Sequence, residues 1–437
     1  MKRIGAGVIG LAMAAVALVG VSSASGGATG GAGGSGSGCP TLAYVANSND
    51  NTLSVIDVAS GTVVGDPITP DVTPVGVAFT PDGSTVYVTN QGSNAVSVID
   101  VASGTVVGDP ITVGTVPTGV AVTPDGTTVY VTNHNSNTVS VIDVASGTVT
   151  GDPIDVGSGP AGVAFTPDGT TAYVANQYGG EVSVIEVASG TVVDTITVGN
   201  GARGVAFTPD GTTAYVTNYD DDTVSVIEVA SGDWVGGPIT VGTGPNGVAV
   251  TPDGTTAYVT NSGGRTVSVI DVATNTVVGT ITVGNAPKGV AFAPDGTTAY
   301  VTNSDDGTVS VIEVASSTVV GDPITVGNGP YGVAFTPTPC VVVGTTVGAD
   351  GRTVTVTGSQ FEPGSVLTVT IASTPTTLGT VTVAADGTFT ATYTVPCSIP
   401  GGAHTISATA VSGQSASFPV TLTDCGPEPE PEPTFTG

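Results

Sequence analysis

A repeat of 42 or 43 residues runs through most of the chain and restricts its fold more than any other feature. A unit of this length cannot bury its own apolar face, so neighbouring units must stack on one another. The sequence therefore predicts a repeat architecture over residues 39–340. Its marker is a tyrosine that recurs seven times, at Tyr44, Tyr87, Tyr130, Tyr173, Tyr215, Tyr258 and Tyr300.

Each copy contains four short segments with the properties of β-strands. In the copy that begins at Thr256, the segments TAYVTN and TVSVID alternate β-branched with small or polar residues, which is the pattern of a half-buried strand. TVVGTITV and GVAFAP follow, and a Pro-Asp-Gly turn separates GVAFAP from the next copy. Seven copies of four antiparallel strands predict an all-β, seven-bladed β-propeller.

The repeated phrases YVTN, SVID and GVAFTPDG resemble the YVTN family of propeller repeats, found in surface-layer and other secreted prokaryotic proteins. The resemblance implies that the GVAF strand is innermost and opens each blade. This chain begins on YVAN (44–47) and ends on GVAF (332–335), so we expect the last strand to complete the first blade. Cys39 and Cys340 flank these two strands, and a disulfide between them would replace the missing hairpin.

The outermost strand differs between copies. Five copies insert Gly-Asp-Pro or Gly-Gly-Pro there, and the sequence predicts a β-bulge that blocks edge-to-edge pairing. The prolines concerned are Pro67, Pro110, Pro153, Pro238 and Pro323.

The segments outside the repeat have distinct compositions. Residues 1–24 combine Lys2 and Arg3 with an apolar run and predict a signal peptide, with a retained membrane anchor as the alternative. Residues 25–38 predict a flexible Gly/Ser-rich linker, and residues 426–437 a disordered Pro/Glu tail. Alternating strands in residues 341–425 predict a small immunoglobulin-like β-sandwich, in which Cys397 and Cys425 would pair.

Charge limits the classes of partner. The chain has 35 acidic and 6 basic residues, a net charge of −29, which argues against nucleic-acid binding because phosphate recognition needs a basic face. The signal peptide predicts an extracellular or wall-associated protein with no membrane span after its removal. We expect a protein or carbohydrate partner at the cell surface.

Two sets of loops, after YVTN and before GVAF, belong to one face of the disc and vary between copies. Rare basic and aromatic residues collect in them, and a rigid scaffold often carries binding residues on such loops. Four of these residues would ring the mouth of the central channel and could hold an anionic or sugar ligand. The four are Arg203, Asn246, Lys288 and Tyr331, and the further candidates are Arg265, Tyr219 and Tyr178.

The sequence gives little support for catalysis or for a cofactor. It has two histidines, His134 and His404, and no metalloprotease or serine-hydrolase motif. Acidic loop tips at 220–222 and 305–306 could bind calcium, although neither has the spacing of a known calcium loop. The main hypothesis is a secreted scaffold that presents a loop face to a partner. The alternatives are a lactonase-like hydrolase or lyase at the channel mouth and a self-assembling surface-layer subunit.

Overall fold

The computed structural model describes residues 41–337, 342–348, 352–359, 366–372, 375–384, 388–410 and 415–424. Every regular element in these stretches is a β-strand. None of the described residues forms a helix long and apolar enough to cross a bilayer. The chain divides into two compact units, one of which spans Pro40–Pro339. The predicted signal peptide, linker and acidic tail lie outside the described residues.

The first unit is built from seven antiparallel sheets, which confirms the predicted propeller fold. We number the blades 1 to 7 by their tyrosine. The inner strands, in blade order, are Pro330–Phe335, Pro74–Phe79, Pro117–Val122, Pro160–Phe165, Ala202–Phe207, Pro245–Val250 and Pro287–Phe292. The second strands are Leu42–Asn47, Thr85–Asn90, Thr128–Asn133, Thr171–Asn176, Thr213–Asn218, Thr256–Asn261 and Thr298–Asn303. The third strands are Thr52–Asp57, Ala95–Asp100, Thr138–Asp143, Glu181–Glu186, Thr223–Glu228, Thr266–Asp271 and Thr308–Glu313.

The outer strand depends on the Gly-Asp-Pro insertion. In the two copies without proline the outer strand is continuous, at Thr191–Thr197 and Thr276–Thr282, with a one-residue register shift. In the five others the insertion interrupts the strand, because proline has no N–H to donate and the insertion's first glycine adopts a positive φ. In blade 2, which has the insertion, Ile99 pairs with Val106 and Val96 with Ile111, so extra residues bulge out at the insertion as predicted. The remaining pieces are Thr62–Val63, Thr105–Val106, Ile111–Thr112, Thr148–Val149, Ile154–Asp155, Ile239–Thr240, Thr318–Val319 and Ile324–Thr325.

The ring closes as the resemblance implied. The strand Pro330–Phe335 pairs antiparallel with Leu42–Asn47, with Tyr44 opposite Ala334. The Leu42 N–H donates to the Thr336 hydroxyl oxygen at 3.0 Å, and the Thr336 N–H donates to the Leu42 carbonyl at 2.8 Å. Thr80 and Thr85 make the same pair of bonds inside a continuous hairpin. The seam therefore keeps the hairpin geometry without the covalent turn. Cys39 and Cys340 lie outside the described residues, so their disulfide stays a prediction.

The core consists of layers between adjacent blades. Each of the seven repeat tyrosines is at most 2% exposed, and burial raises the pKa of each phenol. Tyr44 packs edge-on against Phe79 of the next blade with ring centroids 5.2 Å apart, and four other blades repeat this contact. The tyrosine that marks the repeat in the sequence is thus a main contact that holds the blades together.

Every inner strand carries a β-bulge at the same place. In blade 6, Asn246 and Gly247 together oppose the single residue Thr260, and the six other blades show the same shift. A bulge re-aims the side chain that it carries. The bulge thus governs the direction of the first residue of each pair, which is the residue that the sequence singled out before each GVAF strand.

The second residue of the bulge is glycine because the next blade lies against it. A Cβ atom on Gly247 would come within 2.6 Å of the Lys288 carbonyl oxygen, and one on Gly162 within 2.4 Å of the Arg203 carbonyl oxygen. All seven bulge glycines meet the next blade in this way. Any side chain there would force the inner strands apart.

A threonine hydroxyl joins adjacent bulges in five blades. In blade 6 the Thr260 hydroxyl accepts from the Gly247 N–H at 2.9 Å and donates to the Lys288 carbonyl of blade 7 at 2.7 Å. Blades 2, 3, 5 and 7 repeat this bridge with Thr89, Thr132, Thr217 and Thr302. Blades 1 and 4 have Ala46 and Ala175 at this position, so the ring of bridges is interrupted twice.

The second unit contains seven strands in two sheets around one core that includes Val356, Leu367 and Ile406. The strands are Val342–Val347, Thr353–Ser359, Val366–Ala372, Pro375–Thr382, Phe389–Thr394, Gly402–Ala410 and Ser415–Leu422. The first, second and fifth strands form one sheet, and the fourth, third, sixth and seventh form the other. Arg352 is 7% exposed and donates to the Ile399 carbonyl at 2.6 Å, so this cation is structural.

The interrupted ring of threonines gives a stability prediction. Ala46→Thr would supply the missing bridge between the Gly332 N–H and the Val75 carbonyl, and we expect it to raise the free energy of unfolding by about 1 kcal/mol. Thr89→Ala removes the equivalent bridge in blade 2 and should lower it by a similar amount. Urea unfolding of the two variants measures both changes. If Ala46→Thr left the free energy of unfolding unchanged while Thr89→Ala lowered it, the Gly332 N–H and the Val75 carbonyl would already have other hydrogen-bond partners.

The Pro-Asp-Gly turns predict acid sensitivity. A hydrogen bond from the Thr123 hydroxyl, followed by one from the Thr127 N–H, holds the pKa of Asp125 below its usual value, and Asp168 and Asp210 are held in the same way. A carboxylate with a lowered folded-state pKa stabilises the fold above its unfolded pKa of about 4, and this stabilisation is lost as the pH falls through the folded-state value. Stability to urea should therefore drop below about pH 4. The triple variant Asp125→Asn, Asp168→Asn, Asp210→Asn should show a shallower drop, and an unchanged slope would contradict this origin.

Candidate functional site

A cavity of about 430 Å³ lies at the centre of the propeller, on the face that carries the variable loops. All seven inner strands contribute to it the bulge residue, its glycine and the following valine. The bulge residues, in blade order, are Tyr331, Val75, Thr118, Ala161, Arg203, Asn246 and Lys288. The structure thus brings the four residues of the predicted channel ring to one cavity.

The cationic side of the cavity is formed by blades 5 to 7. The guanidinium carbon of Arg203 lies 3.8 Å from the centroid of the Tyr219 ring, so the loop after YVTN holds the arginine through a cation–π contact. Burial lowers the pKa of the half-buried Lys288 ammonium. Tyr219 opposes this shift, nearby positive Arg203 reinforces it, and Asp305 opposes it again. The two cations therefore act on one another within the cavity.

Two buried donors on this side have no hydrogen-bond partner within the described residues. They are the Nε of Arg203 and the Nδ2 of Asn246. Asn246 is only 7% exposed, and its backbone carbonyl is fixed by the Thr217 hydroxyl at 2.7 Å. An unpaired buried donor costs roughly 1–3 kcal/mol. Arg203 and Asn246 both line the cavity, so a ligand with oxygen acceptors would lie beside these donors.

The other side of the cavity carries residues that the sequence reasoning did not select. Gln91, His134 and Gln177 line it, each from the position directly after YVTN in blades 2 to 4. His134 Nε2 lies 3.2 Å from Gln177 Oε1, and His134 Nδ1 lies 3.1 Å from Asn135 Oδ1. A neutral imidazole donates from one nitrogen only, so in that state one of the two amides presents its NH₂ group instead. The signal that could have found them is their shared position in the repeat.

The match to known proteins covers more than half of the chain. The family model "Lactonase, 7-bladed beta-propeller" matches residues 41–153 and 191–324. The chain belongs to this lactonase propeller family. A search of curated proteins found no match.

Solved propeller structures are similar over the first unit. Hydrazine synthase from Kuenenia stuttgartiensis is 26% identical, with a TM-score of 0.54 over 65% of this chain and 92% of that chain. The periplasmic gluconolactonase of Pseudomonas aeruginosa is 21% identical, with a TM-score of 0.58 over 68% of this chain and 99% of that chain. A candidate 6-phosphogluconolactonase from Bacteroides fragilis is 19% identical, with a TM-score of 0.59 over the same shares. At these identities the two lactonase structures support the fold alone.

The structure of this lactonase-family propeller also places the other predicted binding residues, Tyr219, Tyr178 and Arg265. Tyr219 contacts Arg203, as described above. Tyr178 is 69% exposed and packs edge-on against His134 with ring centroids 5.1 Å apart. Arg265 is exposed on a loop and is not among the residues that line the cavity. His404 belongs to the second unit, where its Nε2 lies 2.9 Å from the Pro400 carbonyl oxygen.

The acidic loops considered for calcium make other contacts. Asp221 accepts from the backbone and side-chain N–H groups of Asn200, and Asp306 makes the same pair of bonds with Asn285. These carboxylates link the two variable loops of one face. Across the part of the chain that the structure describes, no three His, Cys, Asp or Glu side chains are grouped so that they could hold a metal ion.

The unpaired Asn246 amide predicts that this residue lowers the stability of the protein while it serves ligand binding. Asn246→Leu replaces an unsatisfied buried donor with an apolar group of similar volume, so we expect the free energy of unfolding to rise by about 1 kcal/mol. Asn261→Leu is the matched control, because the Asn261 amide donates to Thr266 and Ser268. That change should destabilise the protein. Thermal unfolding of both variants tests the contrast, and a loss of stability in Asn246→Leu would show that its amide is structural.

Proposed function

We propose that the protein binds a small anionic sugar derivative in the channel cavity and hydrolyses its lactone form. The observation that carries this proposal is the pair of unpaired buried donors, Arg203 Nε and Asn246 Nδ2, beside the Lys288 ammonium. Three such groups on adjacent blades form a recess for oxygen anions in a protein of net charge −29. Family membership supports the lactone as the reacting group.

The residues present can divide the work of lactone hydrolysis. Ring opening passes through a tetrahedral oxyanion, and positive donors fixed near that oxygen lower the barrier. Arg203, held by Tyr219, and Lys288 are such donors. A base must also take a proton from the attacking water. His134 is the imidazole at the cavity. To act as the base, its Nε2 would exchange the contact with Gln177 for the attacking water, while Nδ1–H donates to Asn135 and orients the ring.

A second candidate function is the docking of the loop face on a protein or surface glycan. The exposed Tyr178 and Arg265 favour it, because both stand outside the cavity on the face that carries the variable loops. Such a partner would contact the loop tips, whereas a small molecule would enter the 430 Å³ cavity. A self-assembling surface-layer role has no separate observation in its favour.

We also propose a location outside the cytoplasm. Cys397 is disulfide-bonded, and disulfides persist in oxidising compartments. Its predicted partner Cys425 lies outside the described residues. One of the similar structures is a periplasmic gluconolactonase. The strand order of the second unit, with strands one, two and five opposite strands four, three, six and seven, supports the immunoglobulin-like class for that module. We retain the YVTN assignment and the signal peptide as part of this proposal.

Hydrolysis assays test the main proposal. We expect the protein to hydrolyse 6-phosphogluconolactone above the spontaneous rate, and Arg203→Gln or Lys288→Gln to lower kcat/KM by about ten- to a hundredfold. Arg265→Gln, which removes an exposed cation outside the cavity, is the matched control and should leave the rate unchanged. Release of acid during ring opening gives the readout.

Two results would count against this function. Wild-type activity in both Arg203→Gln and Lys288→Gln would remove the cavity as the reacting site. Lack of any hydrolysis, together with lack of 6-phosphogluconate binding by calorimetry, would leave the loop face as the favoured surface. Loss of partner binding in Tyr178→Ala or Arg265→Gln would then support docking there.

A further inference from the structure

The channel cavity contains a single primary amine. The whole sequence has two lysines, Lys2 and Lys288, and Lys288 is the one on the cavity wall. It occupies the bulge of blade 7, where the Thr260 hydroxyl fixes its backbone carbonyl at 2.7 Å. The backbone that carries the amine is therefore held by a direct hydrogen bond to the adjacent blade.

The surroundings of Lys288 shift its amine towards the neutral form. The ring of inner-strand valines gives the cavity an apolar wall, which includes Val290 next to the bulge and Val248 on the adjacent blade. Burial lowers the pKa of Lys288, and the positive charge of Arg203 acts in the same direction, against Tyr219 and Asp305. Desolvation and a neighbouring cation are the two means by which proteins turn a lysine into a nucleophile.

A carboxylate would find its partners beside this amine. Asn246 occupies blade 6, between Arg203 on blade 5 and Lys288 on blade 7. The unpaired Arg203 Nε and Asn246 Nδ2 are both donors, which acceptor oxygens can satisfy. A molecule that bridges the two sides must offer acceptor oxygens to the donors and an electrophilic carbon to the amine.

We propose that Lys288 condenses with a small oxo acid whose carboxylate is held by Arg203 and Asn246. The amine nitrogen attacks the carbonyl carbon and forms a C–N bond, while the carbonyl oxygen takes a proton and becomes the hydroxyl of a carbinolamine. Loss of that oxygen as water breaks the C–O bond and leaves a protonated imine. Tyr331, on the adjacent blade 1, carries the phenol that can supply a proton to the departing oxygen. No oxidant or reductant is needed.

This chemistry goes beyond lactone hydrolysis and stands independently of it. Hydrolysis requires an activated water, whereas imine formation expels one. A protein that opens no lactone can still form the imine, and a lactonase can fail to form it. The two proposals therefore have separate readouts.

Reductive trapping tests the proposal on the full chain. The protein is treated with glyoxylate and cyanoborohydride at pH 7, which converts an imine into a stable carboxymethyl-lysine, and the adducts are mapped by peptide mass spectrometry. Lys2, outside the described residues, is the internal reference. If processing has removed it, the α-amino group takes that role. We expect Lys288 to be modified on the order of tenfold faster than the reference amine. Equal or slower modification of Lys288 would overturn the proposal.

Variants and a neutral probe separate the amine from its carboxylate partner. Glycolaldehyde has the same carbon skeleton as glyoxylate without the carboxylate, so Lys288 should prefer glyoxylate by on the order of tenfold. Arg203→Gln should abolish that preference, and Arg265→Gln should keep it. Lys288→Arg should yield no adduct at position 288. If Arg203→Gln still prefers glyoxylate, the assigned carboxylate site is refuted. The rate of Lys288 modification relative to the reference amine in the wild-type protein tests the role of the amine even where a variant does not fold.

Discussion

The close approach of neighbouring inner strands is the constraint on which the rest of this propeller depends. At each of the seven bulges a glycine lies against the backbone carbonyl of the next blade, where a Cβ atom would come within 2.3 to 2.7 Å of that oxygen. This packing sets the width of the central channel, and the hydroxyl of Thr260 and its four equivalents fixes it by bonding both backbones. The tyrosines perform the same function further out, where the blades are wider apart and a large ring can fill the space.

The bulge joins this constraint to function. It places one residue per blade at the mouth of the channel, and it does so with a backbone that cannot shift because the next strand blocks it. Side chains at these seven positions can vary without disturbing the sheets. Tyr331, Arg203, Asn246 and Lys288 therefore share one scaffold while offering phenol, guanidinium, amide and amine to the same cavity. Functional groups on such rigid elements are held more closely than groups on free loops.

The cationic side of the cavity contains unpaired and partly desolvated groups that destabilise the fold. Arg203 Nε and Asn246 Nδ2 are buried without partners in the part of the chain that the structure describes, and Lys288 is partly desolvated beside a second cation. Elsewhere in the described propeller the unpaired buried side-chain atoms are oxygens, such as Oδ1 of Asn261, whose Nδ2 donates to both Thr266 and Ser268. Unpaired nitrogen donors beside two cations in a cavity indicate a site for an anionic ligand, because its acceptor oxygens would remove the penalty.

The sequence by itself determined the propeller and its seven blades, because the tyrosine period is fixed along the chain, and its resemblance to YVTN repeats implied closure by the last strand. It also selected Arg203, Asn246, Lys288 and Tyr331, because residues that differ between otherwise similar copies are easily recognised in a repeat. The sequence also predicted that these residues ring the channel mouth, but only the tertiary structure shows the bulge opposite Thr260 and its equivalents that sets the direction of their side chains. The tertiary structure also brought His134 and Gln177 to the same cavity. The repeat pattern does not reveal such contacts, because they join equivalent positions of two neighbouring repeats. Only the closed ring brings the loops that carry these positions together at its centre.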